Sequence, residues 1–398
     1  MNANAASRRA VIVDVVRSPF GRAKQDGALA AVHPVDLLAQ VLDGLVDRTG
    51  IDPSLVEDVI TGCVIQVAEQ SANIGRQAVL AAGFPESVPA VTLDRKCGSA
   101  QQAMDFAAQG VIAGAYDVVI ASGVEMMSLV PMRVNRMGKD NLGGRLRARY
   151  PAGMVNQGIS AELIADKWRI DRESMDRFSV QSHVKASQAI RVVGRDIVPI
   201  KTDNGEVVFE DEGLRPDSSL DKLANLKPAF CSEEMQVRFP HLSWTITAGN
   251  SSQISDGASA MLIVEEKTAE RLGLNPRAAI THFATVGDDP IMMLTAIIPA
   301  TQKVLKRAGL SLDSLDAYEV NEAFASIPLA WQKELGADPD KLNCSGGAIA
   351  LGHPVGASGG RLVANLLSAL EANNGLTGLV TMCESGGMAN ATVLQSFC

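Results

Sequence analysis

Aromatic residues are scarce: Phe, Trp and Tyr together make up only 4 % of the 398 residues. A core with so few rings has to pack closely on small and aliphatic side chains, and the 46 % apolar share gives ample material for that. An excess of basic charge is also lacking. The formal net charge is −9, which argues against the basic face of a general nucleic-acid binder. An anionic small ligand held by a few local cations is still compatible with it. The five histidines and six cysteines show no metal-ligand spacing. Cys63, Cys97, Cys231, Cys344, Cys383 and Cys398 are scattered, with no Cys-x-x-Cys pair. Neither a disulfide framework nor a zinc site is expected. No uncharged apolar run is long enough to span a bilayer. The opening MNANAASRRAVIVDVV lacks the apolar segment and cleavage site of a secretory signal. The expectation is a cytoplasmic protein with no membrane span, no nucleic-acid partner and no metal.

What is present is an alternation of strands and helices. RAVIVDVV (9–16), EDVITGCVI, VPAVTLD and YDVVIASG predict buried strands. Between them PVDLLAQVLDGLVD and ANIGRQAVLAAG have helical spacing. A helix after Cys97 places Ala100, Ala103, Met104, Ala107, Val111 and Ile112 on its apolar side. From about Glu125 to Trp244 charge is denser and the alternation is lost, with SAELIADKWRI and ESMDRFSVQSHVKASQAI as the clearest helices. The pattern returns at SDGASAMLIVEE and runs again from Ala278 to the end. A mixed sheet covered by helices on both faces is expected, in two similar halves. The boundaries read as 1–124 completed by 246–275 for the first half, 125–245 for an insertion, and 276–398 for the second half.

Four stretches carry candidate chemistry. In RKCGSAQQAMDF a cysteine precedes a helix start, where partial positive charge and unpaired N–H groups favour a reactive thiolate. The competing reading of Cys97 is a small buried hydrophobe. SGGAIALGHPVGASGGRL (345–362) sets His353 among glycines, rigidly enough to take a proton from a cysteine elsewhere. It lacks a phosphate-loop signature. In VNEAFAS, Asn321 is either an oxyanion donor or a helix N-cap. In MCESGGMANAT, Cys383 repeats the strand-end setting of Cys97.

KCGSAQQA, NEAFAS, GGAIALGHPVGASGG and the terminal cysteine–glycine segment, taken in order, resemble the four catalytic motifs of the thiolase family, the acyl-CoA acetyltransferases. RSPFGRAKQDGAL and TAGNSSQISDGA are similar to further stretches of that family, so the resemblance covers essentially the whole chain. It implies an α/β fold of two βαβαβαββ halves in a layered αβαβα arrangement with an inserted loop domain. It implies Cys97 as the acylated nucleophile, His353 as its activator, and Cys383 as acid/base at the substrate α-carbon. His353 and a water held by Asn321 would form one oxyanion site, and the backbone N–H groups of Cys97 and Ser385 a second. Ala248 and Ser252 would touch the pantetheine of coenzyme A, and Arg215 would lie near its adenine.

The sequence departs from the family pattern in places. The usual Cys-x-Gly-Gly-Gly is here Cys383-Glu384-Ser385-Gly386-Gly387. Short-chain members often carry His-Met where this chain has Asn156-Gln157, and the 231–244 stretch is longer than usual. These changes mark Asn156 and Gln157 as acyl-pocket candidates for a long or bulky acyl group. The locally basic 133–149 stretch suits either CoA phosphates, a subunit contact or a solvated face. The implied activity is CoA-dependent cleavage of a 3-oxoacyl-CoA, with CoA as substrate and no cofactor, in a homodimer or homotetramer. A biosynthetic acetoacetyl-CoA thiolase, a ketoacyl-synthase-like enzyme and a silent acyl-CoA-binding scaffold are the alternatives. The second cysteine late in the chain disfavours the synthase.

Overall fold

The computed structural model describes residues 8–397, so Cys398 and the first seven residues of the opening segment lie outside the described residues. Two sets of strands repeat one order. In the first half β1 (Ala10–Arg17), β2 (Asp58–Gly62), β3 (Ala90–Leu93), β4 (Val118–Met126) and β5 (Ser255–Glu265) pair in the order β3-β2-β4-β5-β1. The β3-β2-β4 pairings are parallel, and β5 runs antiparallel to both β4 and β1. In the second half β6 (Ala278–Gly287), β7 (Ala317–Val320), β8 (Thr377–Glu384) and β9 (Met388–Ser396) pair as β7-β8-β9-β6. Again only β7-β8 is parallel. A parallel bridge from Tyr318 to Leu342 takes the place of β3 at the outer edge. Short antiparallel pairing of Val11 with Ala279 and Ile12 with Ala278 joins the halves into one hydrogen-bonded order.

Strand alternation sorts the side chains into three cores. Val11, Val59, Ile120 and Leu262 face the helix Pro34–Thr49 on one outer side. Tyr318, Val320, Leu379 and Ala391 face the helices Ile297–Ala308 and Ser326–Leu335 on the other. Ile12, Ile60, Val119, Val380 and Met382 share a middle core with two central helices, Ser99–Ala113 and Ser358–Asn373. The result is a five-layer α/β/α/β/α stack, in which strands buried on both faces read as continuous apolar runs. A bulge between Ile12 and Asp14 resets the alternation, so Val15 faces the middle core again. The central helices approach closely: a Cβ added at Gly359 would lie 2.4 Å from the Gln101 amide nitrogen. Ile112 departs from the sequence reading. It is half exposed in the last turn of the first central helix, next to the buried Val111.

Polar groups bind the halves across this middle layer. Asp105 of the first central helix accepts from Asn390 Nδ2 and Thr392 Oγ1 of β9, both at 2.8 Å. Gln101 Nε2 donates to Val380 O at 3.2 Å.

Between β4 and β5 the chain forms the helices Gln157–Trp168 and Arg172–Val193, several shorter helices and a two-stranded ribbon. This segment docks on the second half. Ser160 Oγ donates to Ile291 O at 2.6 Å, and Ser326 Oγ to Ala161 O at 3.1 Å.

Candidate active site

The site is assembled where strands end and central helices begin. Lys96 adopts a left-handed φ of 51°, which turns the chain sharply just ahead of Cys97. Gly98 then caps the helix that starts at Ser99. The sequence places a thiolate at this helix start, but burial prevails over the helix field. Burial pushes the Cys97 thiol up, with the neighbouring Cys383 and Glu384 adding to the effect. Resting Cys97 is therefore a neutral thiol, which would need a base to act as a nucleophile.

His353, the candidate base, is held rigidly. Gly352, at φ 103°, brings the chain against Ser255, where a Cβ would meet Ser255 Oγ at 2.4 Å. The His353 N–H then donates to Gln253 O at 3.0 Å and Ser255 Oγ at 3.1 Å. On the ring, Nδ1 lies 2.6 Å from Ser358 Oγ. The Ser358 hydroxyl proton is committed to Pro354 O at 2.9 Å. Ser358 must therefore accept from His353 Nδ1–H, which leaves Nε2 as the acceptor nitrogen. Burial, with the Arg361 charge added, pushes His353 down to about 3, so the ring is neutral.

Asn321 connects the other groups. Its backbone N–H donates to Thr381 O at 3.1 Å, and its side-chain Nδ2 lies 3.4 Å from His353 Nε2 and 4.0 Å from Cys383 Sγ. The N-cap alternative fails, because the following helix begins only at Ser326. Cys383, near the end of β8, is pushed up to about 12 by burial, although hydrogen bonds from Asn321 and the Ala323 backbone favour its thiolate. Beside Asn321, the buried Glu322 carboxylate accepts from Ser182 Oγ at 2.7 Å, Asn343 Nδ2 at 2.9 Å and the Ile349 N–H at 3.1 Å. It thereby ties the Asn321 loop, the His353 loop and the inserted segment together.

The hairpin after Cys383 accommodates the departure from the glycine run. The left-handed positions are Gly386, at φ 91°, and Gly387, at φ 78°. Ser385 is not among the left-handed residues, so its side chain causes no backbone strain there.

The remaining candidates lie further out. The Ser252 N–H donates to Ala323 O at 2.9 Å, which sets Ser252 beside the Asn321 loop. Ala248 opens a short exposed turn capped by Thr247. Arg215 is exposed, and its backbone N–H donates to His183 Nδ1 at 3.2 Å. Asn156 is exposed and uses its side-chain oxygen as an N-cap, accepting from the Ile159 N–H at 3.1 Å. Gln157 is half-buried in the first turn of that helix. Among the described residues no side-chain hydrogen bond joins Arg215 or Asn156 to the Cys97–His353–Asn321–Cys383 group.

The 231–244 stretch forms a short exposed helix, Glu233–Arg238. Phe230 ahead of it packs edge-on to Phe324 at 5.8 Å. It also covers Gly158, where a Cβ would meet the ring at 2.3 Å. Most of the 133–149 stretch is exposed, with Arg147–Asp140 its one ion pair among the described residues.

Sequence reasoning missed three groups: Ser358, Glu322 and Glu384. A serine five residues after the histidine was visible as a signal. The roles of Glu322 and Glu384 depend on partners far along the chain. Ser358→Ala is expected to lower kcat about tenfold with KM little changed, the worth of roughly one hydrogen bond orienting the ring. Steady-state kinetics check this. An unchanged kcat would show that packing alone holds the tautomer.

Comparisons with known proteins agree along the whole chain. Residues 10–267 match the N-terminal domain model of thiolases, and residues 274–396 the C-terminal one. A steroid 3-ketoacyl-CoA thiolase of Mycobacterium tuberculosis is 45 % identical, over 98 % of this chain and 95 % of its own length. A 3-ketoacyl-CoA thiolase of Bacillus subtilis is 39 % identical, over 98 % of this chain and 99 % of its own. Among solved structures, human mitochondrial 3-ketoacyl-CoA thiolase in complex with CoA superposes with a TM-score of 0.86 at 32 % identity, covering 98 % of each chain. An acetyl-CoA acetyltransferase of Bacillus anthracis gives a TM-score of 0.87 at 35 % identity, covering 99 % of this chain and 100 % of that one.

Proposed function

The chain belongs to the thiolase family, and on that premise we propose that it cleaves a 3-oxoacyl-CoA with CoA into acetyl-CoA and a shortened acyl-CoA. The observation that carries this is Asn321 Nδ2 placed between His353 Nε2 and Cys383 Sγ. In the first half-reaction His353 Nε2 takes the Cys97 proton, and the sulfur attacks the 3-oxo carbon. The C2–C3 bond breaks, the electron pair passes to C2 as the acetyl-CoA enolate, and Cys383 gives C2 its proton. In the second, Cys383 takes the proton of the incoming CoA thiol. That sulfur displaces Cys97 from the thioester, His353 returns its proton to the Cys97 sulfur, and the acyl-CoA leaves. The oxyanion at the acyl carbon would be met by the N–H groups of Cys97 and Ser385. The acetyl-CoA enolate would be met by His353 and a water on Asn321. Arg215, Ala248 and Ser252 are proposed to hold CoA. No cofactor is required, because the thioester already acidifies the α-carbon.

A bulky, ring-bearing acyl group is the favoured substrate class. The 45 % identical relative is named a steroid thiolase, against 39 % for the Bacillus subtilis 3-ketoacyl-CoA enzyme. Residues 125–245 are proposed as the part that selects it, through Gln157 and the Phe230–Phe324 contact. No helix among the described residues is long and apolar enough to cross a membrane. A cytoplasmic homo-oligomer is the proposed state.

Thiolysis assays test both levels, with kcat/KM measured for acetoacetyl-CoA, long straight-chain and ring-bearing 3-oxoacyl-CoA esters. The ring-bearing ester is expected to lead, and Gln157→Met to shift preference toward short chains. Best turnover on acetoacetyl-CoA would favour the biosynthetic alternative. Absence of acetyl-CoA from every ester would sink the activity itself.

A further inference from the structure

The strand that bears Cys383 carries an acidic group the chemistry above does not use. Glu384 points to the opposite face of β8, toward the first central helix. It is fully buried, and neither carboxyl oxygen has a hydrogen-bond partner among the described residues. Its Oε1 lies over Gly98: a Cβ built there would come within 2.0 Å of it. Gly98 directly follows Cys97 and caps the helix. We propose that Glu384 is a positioning residue for Cys97, whose carboxyl fills the space over Gly98, fixes the helix start and sets how much negative charge the Cys97 sulfur must share that helix end with. This rests on Cys97 being the nucleophile.

The charge follows from the surroundings. A buried carboxylate with no donor is costly. Burial pushes Glu384 up to about 9, against the pull of Arg95 and with a further push from Asp105 and Asp94. The groups facing it are Asp94, Arg95 and Cys97 around the turn and Asp105 on the helix, with Cys383 next to it in the strand but on the other face. At neutral pH the group carries a proton, and the helix end serves Cys97 alone. Above about pH 9 the anion forms and raises both thiols, since its charge acts on Cys97 and Cys383 alike.

The test follows Cys97 alkylation by iodoacetamide, with peptide mass mapping, and kcat/KM for thiolysis, across neutral to alkaline pH. In the wild type the rise of the alkylation rate with pH is expected to slow through the Glu384 transition and then resume, displaced downward. In Glu384→Gln the rate continues to rise, to about threefold or more above wild type at the alkaline end, corresponding to about half a pKa unit. Glu384→Ala is expected to lose roughly tenfold in kcat at every pH, an activity that Gln restores. Should Glu384→Gln fold poorly, a second pair decides. Gly98→Ala collides with the carboxyl, and Gly98→Ala/Glu384→Ala is expected to recover part of the loss, a non-additive result. Superimposable pH profiles, or strictly additive losses, would overturn the proposal. Acyl-enzyme mapping on the wild type separates the two levels: an adduct away from Cys97 defeats the nucleophile assignment, whatever Glu384 does.

Discussion

Cys383→Ala is expected to form an acyl-enzyme on Cys97 from acetyl-CoA and yet fail to turn over. The acylation needs Cys97 and His353, neither of which the substitution touches. What it removes is the group proposed to move a proton at C2. A positioned acid/base contributes roughly 10²–10⁴-fold, and turnover should fall by at least that. Exchange of the acetyl-CoA α-protons with deuterated solvent should be lost as well, read by mass spectrometry. A thiol pushed up to about 12 stays protonated at neutral pH, so its basic form, the thiolate, is scarce. The hydrogen bonds from Asn321 and Ala323 are what favour that thiolate. Retention of both exchange and turnover would point to a single-cysteine condensing enzyme.

His353→Ala should cost more than Asn321→Ala. Losing one oxyanion donor costs about 10²–10³ in kcat, which is the expectation for Asn321→Ala. His353→Ala would remove such a donor and also the base proposed to take the Cys97 proton, so roughly 10⁴ is expected. Acylation from acetyl-CoA, followed in single-turnover experiments, should slow along with turnover. Because the ring is held neutral down to about 3, protonation of His353 in the free enzyme is not the source of any activity loss near pH 6. Near-normal turnover in His353→Ala would remove it from the mechanism.

Much of this was legible in the sequence, and the rest had a physical reason for being hidden. Strands buried on both faces, such as VVIAS within β4, announce themselves as apolar runs, and the glycine-rich turn around His353 announces a rigid loop. The repetition of strand order was suspected from element order alone, and pairing shows it directly: β5 and β9 occupy the same place in their halves. Ile112 was misplaced because helical periodicity describes a face, not where its neighbour ends. The ionisation of Cys97 was misjudged because a helix start is a local signal, whereas burial is set by residues hundreds of positions away. Asn156 reads from sequence as an acyl-pocket candidate alone, and its N-cap bond to the Ile159 N–H shows only once the helix start is placed. Glu384 fills a position the family motif leaves open, so only its proximity to Gly98 gives it meaning.

The place of β5 has a consequence for how the chain is made. β5 lies between β1 and β4, yet it follows them by the whole inserted segment. Until the ribosome has released residue 265, β1 and β4 each present an open apolar edge with no partner. Such edges template pairing with other chains, and contacts this distant in sequence form slowly. A nascent chain stopped within the insertion should therefore aggregate or bind chaperones, even though most of its first-half residues are already present.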